Sequence, residues 1–150
     1  MRLWRISGHR VAVFSAAAIV AFSFTLSASG ARPTPTFTAI SAGFAHTCAV
    51  TRAGGAKCWG GNAYGEVGNG GGSLATALSA VDVKGLTSGV RAIGVGGQHS
   101  CAVTRAGGAK CWGQNHVGEV GRPATPSGRT PVAVAVTRLG SGVKAIAAGS

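Results

Sequence analysis

The chain has 150 residues, 26 of them glycine, and sets 14 Lys and Arg against three Asp and Glu for a net charge of +11 at pH 7. Glu66, Asp82 and Glu119 are its only carboxylate side chains, and the two glutamates hold equivalent places in a sequence repeat, so a facing acid–base pair is hard to build. The charge raises nucleic acid or an anionic surface as a partner, but Arg52/Arg105, Lys57/Lys110 and Arg91/Lys144 recur at the repeat spacing instead of forming a run, which is the pattern of a solvated face.

In chain order, Met1 to Arg10 carries Arg2, Arg5 and Arg10 and no acid, Val11 to Ala28 runs without a charge, and Ser29, Gly30 and Ala31 follow. A basic start, an apolar middle and a small-residue end make residues 1–31 a secretory signal peptide. The alternatives are an uncleaved anchor and a buried core helix, although the apolar run falls short of the ~20 residues that a spanning helix needs. Residues 32–36, Arg-Pro-Thr-Pro-Thr, read as an extended linker.

The mature part is organised around C-A-V-T-R-A-G-G-A-K-C-W-G, which stands at Cys48 to Gly60 and again, letter for letter, at Cys101 to Gly113. The echo extends from His46–Gly68 to His99–Gly121, and Ala-Ile occurs at 39–40, 92–93 and 145–146. Residues 37–89 form a first repeat, 90–142 a second, and 143–150 the opening of a third. Within the first repeat, Phe37 to Ala42, Thr47 to Thr51, Ala56 to Gly60 and Leu78 to Lys84 are short segments carrying Val, Ile, Thr, Phe or Trp between glycines, and each reads as a strand. Arg52-Ala-Gly-Gly55 reads as a tight hairpin turn in which Gly54 or Gly55 supplies a positive φ. The expected fold class is therefore all-β, with four antiparallel strands per repeat as in a blade of a β-propeller. A pair of separate small β-domains is the alternative, but each unit is too small and glycine-rich to bury a core alone.

If the hairpin is centred on Ala53, Cys48 and Cys58 lie opposite each other, as do Cys101 and Cys111, and both pairs are disulfide candidates in an exported chain. The rival is a metal site built from His46, Cys48 and Cys58, and again from His99, Cys101 and Cys111, although the spacing is not that of a zinc knuckle. Trp59 and Trp112 suit blade packing or an exposed platform for a partner. His46 and His99 read as hydrogen-bonded strand-end residues, and Asn62 and Asn115 as turn residues. G-N-G-G-G-S at 68–73 lacks the Lys-Ser/Thr of a phosphate-binding loop, and neither a Gly-x-Ser-x-Gly elbow nor a His-Glu-x-x-His motif occurs.

The pattern H-x-C-A-V-T-x-x-G-G-x-x-C-W-G-x-N-x-x-G-x-V-G, followed by S-G-V-x-A-I-x-x-G, resembles the repeat of the regulator of chromosome condensation family in its secreted bacterial form. The resemblance covers Phe37 to Ser150, with Glu66 and Glu119 standing where the family often has glutamine. It implies blades of a seven-bladed ring, of which two and the opening of a third are present, so the chain reads as the N-terminal part of a longer one. It also implies a non-catalytic scaffold, secreted or at the cell surface, that docks a protein or a cell-wall polymer. The alternatives are an inhibitor of a secreted hydrolase and, as in the family's namesake, a guanine-nucleotide exchange factor. No cofactor, metal or nucleic-acid partner is expected, and a membrane enters only if the N-terminal segment stays uncleaved. The Gly68–Leu78 and Arg122–Thr130 loops differ most between the copies, and partner specificity is expected there.

Overall fold

The computed structural model describes residues 36–71 and 76–150. The expected signal segment 1–31, residues 32–35 of the linker and residues 72–75 of the first connector lie outside the described residues. The described residues form eight strands, β1 Phe37–Ala42, β2 His46–Thr51, β3 Ala56–Gly60, β4 Ala77–Asp82, β5 Val90–Val95, β6 His99–Thr104, β7 Ala109–Gln114 and β8 Arg129–Ala135. They make two four-stranded antiparallel sheets in the orders β1-β2-β3-β4 and β5-β6-β7-β8, each a simple meander in sequence order. The all-β blade expected from the repeat is the observed architecture, once per copy.

Local chemistry explains the strand ends. The β2–β3 turn closes through Gly54 N to Thr51 O and Thr51 N to Gly55 O, both 2.8 Å, and Gly54 takes φ +84°, a value that a residue with a Cβ reaches only under strain. The fourth strand stops at Asp82, two residues before the end expected from its apolar run. There Val83 N turns to Ala56 O (3.0 Å) and Lys84 N to Gly68 O (2.9 Å), so the backbone leaves the ladder to tie down the connector.

The burial pattern shows how the blades stack. β2 and β6 are buried on both faces, with Cys48, Ala49 and Val50 at 0–2% exposure, as strands inside a layered stack should be. The main core fills the space between the sheets with Val50, Val67, Val83, Leu86, Val90 and Trp112. A smaller cluster of Cys101, Cys111 and Val120 lies on the far side of the second sheet, partly covered by Ile146. Residues 143–150 run beside the second blade, with Val143 N bound to Gly107 O (2.9 Å), just as Val90 N is bound to Gly54 O (2.8 Å) one repeat earlier.

Candidate interaction surface

Three side chains make the joint between the blades. His46, at the start of β2, brings its Nε2 within 2.8 Å of Ser100 Oγ on β6, and the Ser100 hydroxyl donates to the Glu66 carbonyl at 3.2 Å. Trp112 Nε1 donates to the same carbonyl at 2.7 Å. A carbonyl can only accept, so the single Ser100 proton goes to Glu66 and His46 Nε2 is left to be the donor. Gly68 completes the joint. A Cβ there would stand 2.8 Å from Trp112 Nε1, and its φ of +69° is left-handed, so glycine both shapes the turn and admits the indole.

The Asn-x-x-Gly-Glu-Val-Gly turns that feed this joint are internally braced. Asn62 Oδ1 accepts from Val67 N (3.2 Å), and Glu66 Oε2 accepts from Tyr64 N (2.8 Å). The second copy repeats both bonds, from Val120 N to Asn115 Oδ1 (3.4 Å) and from Val117 N to Glu119 Oε2 (2.9 Å). Both glutamates thus hold their own turns. For Glu119, partial burial acts to raise the pKa, but hydrogen bonds from its own N–H and those of Val117 and Gly118, together with the His116 charge, outweigh it and lower the value.

Cys48 and Cys58 are partners in the β2–β3 register and Cys101 and Cys111 in β6–β7, with Sγ–Sγ separations of 2.07 and 2.08 Å. Each pair is at disulfide distance. The sulfurs turn to each other and not toward a shared site with the histidines, since His46 is taken up by Ser100. Burial, and less so the nearby His99, lowers the His46 pKa from 6.5 to about 4. Burial also lowers that of His99, against an upward pull from Glu119.

The two copies of the joint differ in one respect. On the first blade the hollow beside His46 and Glu66 is filled by Ser100 and Trp112. At the equivalent place on the second blade, Phe44, His99, Gln114, Val117, Glu119 and Ser150, the last residue of the sequence, line a cavity of about 420 Å³. Phe44 and Val117 on its rim are each 86% exposed. Identical residues therefore have unlike surroundings. Trp112 is fully buried, whereas Trp59 is half-buried and meets Phe37 at a ring-centroid distance of 6.3 Å.

A family model described as the regulator of chromosome condensation (RCC1) repeat matches residues 37–66 and 90–119. The chain carries two RCC1 repeats. Each match starts at the first residue of a sheet, Phe37 or Val90, and ends on the glutamate whose loop feeds the blade joint. Among solved structures, Prp20p from Saccharomyces cerevisiae, characterised with its binding to Gsp1p and histones, is similar at 19% identity and a TM-score of 0.61, over 71% of this chain and 26% of that one. Yeast RCC1 (Prp20) bound to Kap60 gives 24% identity and a TM-score of 0.62, over 76% and 28%. Human WBSCR16 gives 22% and 0.56, over 67% and 25%. The chain thus spans about a quarter of the length of these structures, and the likeness is one of fold. No curated protein matches the sequence.

Sequence reasoning missed the role of Ser100. It is one of the few positions that differ between the RCC1 repeats, Thr47 in the first copy, and so it looks incidental. The available signal was its place one residue beyond a full repeat from His46, which puts strand neighbours of adjacent blades side by side. Tyr64 against His116, edge to face at 5.5 Å, is a second joint contact that the sequence reading did not contain.

Proposed function

We propose that this chain is part of an exported, non-catalytic propeller that binds a protein partner through the loops in which its two repeats diverge. The observation that carries the reading is the contrast within one near-identical pair. The cysteine pairs, the joint residues His46, Gly68 and Trp112 and the turn residues recur at the repeat spacing, whereas Thr47/Ser100, Gly61/Gln114, Ala63/His116, Tyr64/Val117 and the connectors after Gly68 and Gly121 do not. Divergent loops on a repeated scaffold are where recognition is placed without cost to the fold. Phe44, 86% exposed, adds apolar contact area beside Gln114.

Export is supported by the basic and apolar N-terminal sequence and by two cysteine pairs at disulfide distance, which suit an oxidising compartment. Among the described residues no helix is long and apolar enough to cross a membrane. The non-catalytic reading is supported by the carboxylates, since Glu66 and Glu119 are held by their own loops and Asp82 pairs with Lys57 at 2.8 Å. Nothing favours nucleotide exchange, because a likeness at these identities extends to the fold alone.

The test is capture of partners from the culture medium and cell envelope with the wild-type chain and with a variant whose 69–76 and 122–128 connectors are shortened to glycine turns. Loss of a partner by the variant, with unfolding unchanged, supports the reading, and retention of every partner overturns it. A hydrolase among the partners, blocked on binding, would make the chain an inhibitor.

A further inference from the structure

The positive charge is not spread evenly over the blades. The β2–β3 turn at 52–55, the β6–β7 turn at 105–108 and the segments entering β5 and following β8 are laced together at one end. Val90 N bonds to Gly54 O (2.8 Å), Arg105 N to Gly89 O (2.7 Å), Ala109 N to Leu139 O (2.8 Å) and Val143 N to Gly107 O (2.9 Å). This end carries Arg52, Arg91, Arg105, Arg138 and Lys144, all exposed. The carboxylate nearest to it, Asp82, is occupied by Lys57 at 2.8 Å. In the second blade the strand partner of Lys110 is Ala135 where Lys57 has Asp82, so the compensating charge is missing there. Glu66 and Glu119 are committed to their own loops, away from these turns.

The cations form a row and not a pocket. Arg52 and Arg105 are the same turn position in successive blades, and Arg91 and Lys144 the same entry position. Arg105 leans over the first blade's turn, its guanidinium 3.4 Å from where a Cβ on Gly54 would stand. A row of charges repeating with the blades matches a ligand whose own charge repeats along a chain, whereas a compact anion calls for convergent donors in a cavity. Guanidinium groups, four of these five, suit phosphate oxygens. The turns 52–55 and 105–108 carry no aromatic ring on which bases could stack, and Phe37, which opens β1 at this end and is 41% exposed, has one flank against Trp59.

We infer that the hairpin-turn end of the blades, through Arg52, Arg91, Arg105, Arg138 and Lys144, is a binding surface for a linear polyphosphate-type polyanion without bases. It uses residues distinct from the divergent loops, so it stands or falls separately from the partner reading above. Binding is electrostatic and released by salt, because each phosphate neutralised frees its counterions. With about three phosphates engaged, affinity falls on the order of tenfold or more between 50 and 200 mM salt.

The experiment titrates the full chain with inorganic polyphosphate of defined length and compares two variants with the same change in net charge, Arg105→Glu at the turn end and Arg122→Glu in the divergent loop. The expected result is salt-dependent binding that weakens at least roughly fivefold in R105E and further in R52E/R105E, changes little in R122E, and survives in the charge-retaining R52K/R105K. Equal weakening by R105E and R122E would show an effect of net charge alone and overturn the assignment. So would the absence of binding at low salt, tighter binding of polyglutamate at equal charge, or tighter binding of single-stranded DNA at equal phosphate concentration.

Discussion

His46 of the first blade and Ser100 of the second meet at 2.8 Å, and both are buried, at 4% and 0% exposure. Because the Ser100 proton is given to the Glu66 carbonyl, the pair is a short relay from imidazole to hydroxyl to backbone, and it spans the joint between two sheets. Ser100→Ala leaves the His46 N–H and part of the Glu66 carbonyl unpaired in a buried site. The expected loss is about 1–3 kcal/mol in urea unfolding. A double-mutant cycle with His46→Ala should show coupling between the two sites, and additive single effects would mean that the contact contributes nothing of its own.

Acid should weaken the same joint. Neutral His46 is favoured in the fold, its pKa lying near 4 against 6.5 when unfolded, so between those values the unfolded chain binds the additional proton. Stability is fully present above pH 6.5 and is lost as pH falls toward 4, by an amount on the order of 2–3 kcal/mol. Measuring unfolding midpoints at pH 7, 5.5 and 4 for wild type and His46→Ala checks it. The variant should lose the His46 contribution to the slope and keep that of His99, whose pKa is also lowered by burial.

Two identical tryptophans should respond differently to the same change. Trp112 is fully buried and donates to Glu66 O at 2.7 Å, so Trp112→Ala is expected to cost about 3–5 kcal/mol. Trp59, half-buried beside Phe37, loses much less area on truncation. Trp112→Phe separates the two terms, because it keeps most of the packing and removes the bond to the carbonyl, for about 1 kcal/mol. Thermal unfolding of the three variants ranks them.

The cysteine pairs should act as clasps on the hairpins. Each closes a short loop, with a sequence separation of 10, and in the chain-entropy model such a loop contributes about 3 kcal/mol. Alkylation before reduction should label no cysteine and after reduction all four, and Cys58→Ser should lower the unfolding midpoint. Four thiols reactive without reductant would remove the clasps.

The strands, the hairpin turns and the opposition of Cys48 to Cys58 were legible in the sequence, because they depend on residues close together in the chain. An alternation of apolar residues, an Arg-Ala-Gly-Gly turn and a symmetric spacing about Ala53 settle a local backbone path whatever surrounds it. The repeat also announced its architecture, since a unit that cannot bury its own faces must stack on its neighbours. What it could not announce is which of two identical side chains would be enclosed. Trp59 and Trp112 carry the same neighbours in sequence, and so do His46 and His99. Their environments diverge because burial is decided by what stands across the joint, and Trp112 and His46 face another blade among the described residues while their twins do not. Tertiary structure alone, by laying β5 against β1 and β2, made Ser100 at the start of β6 a partner of His46 and gathered five dispersed cations at one end of the sheets.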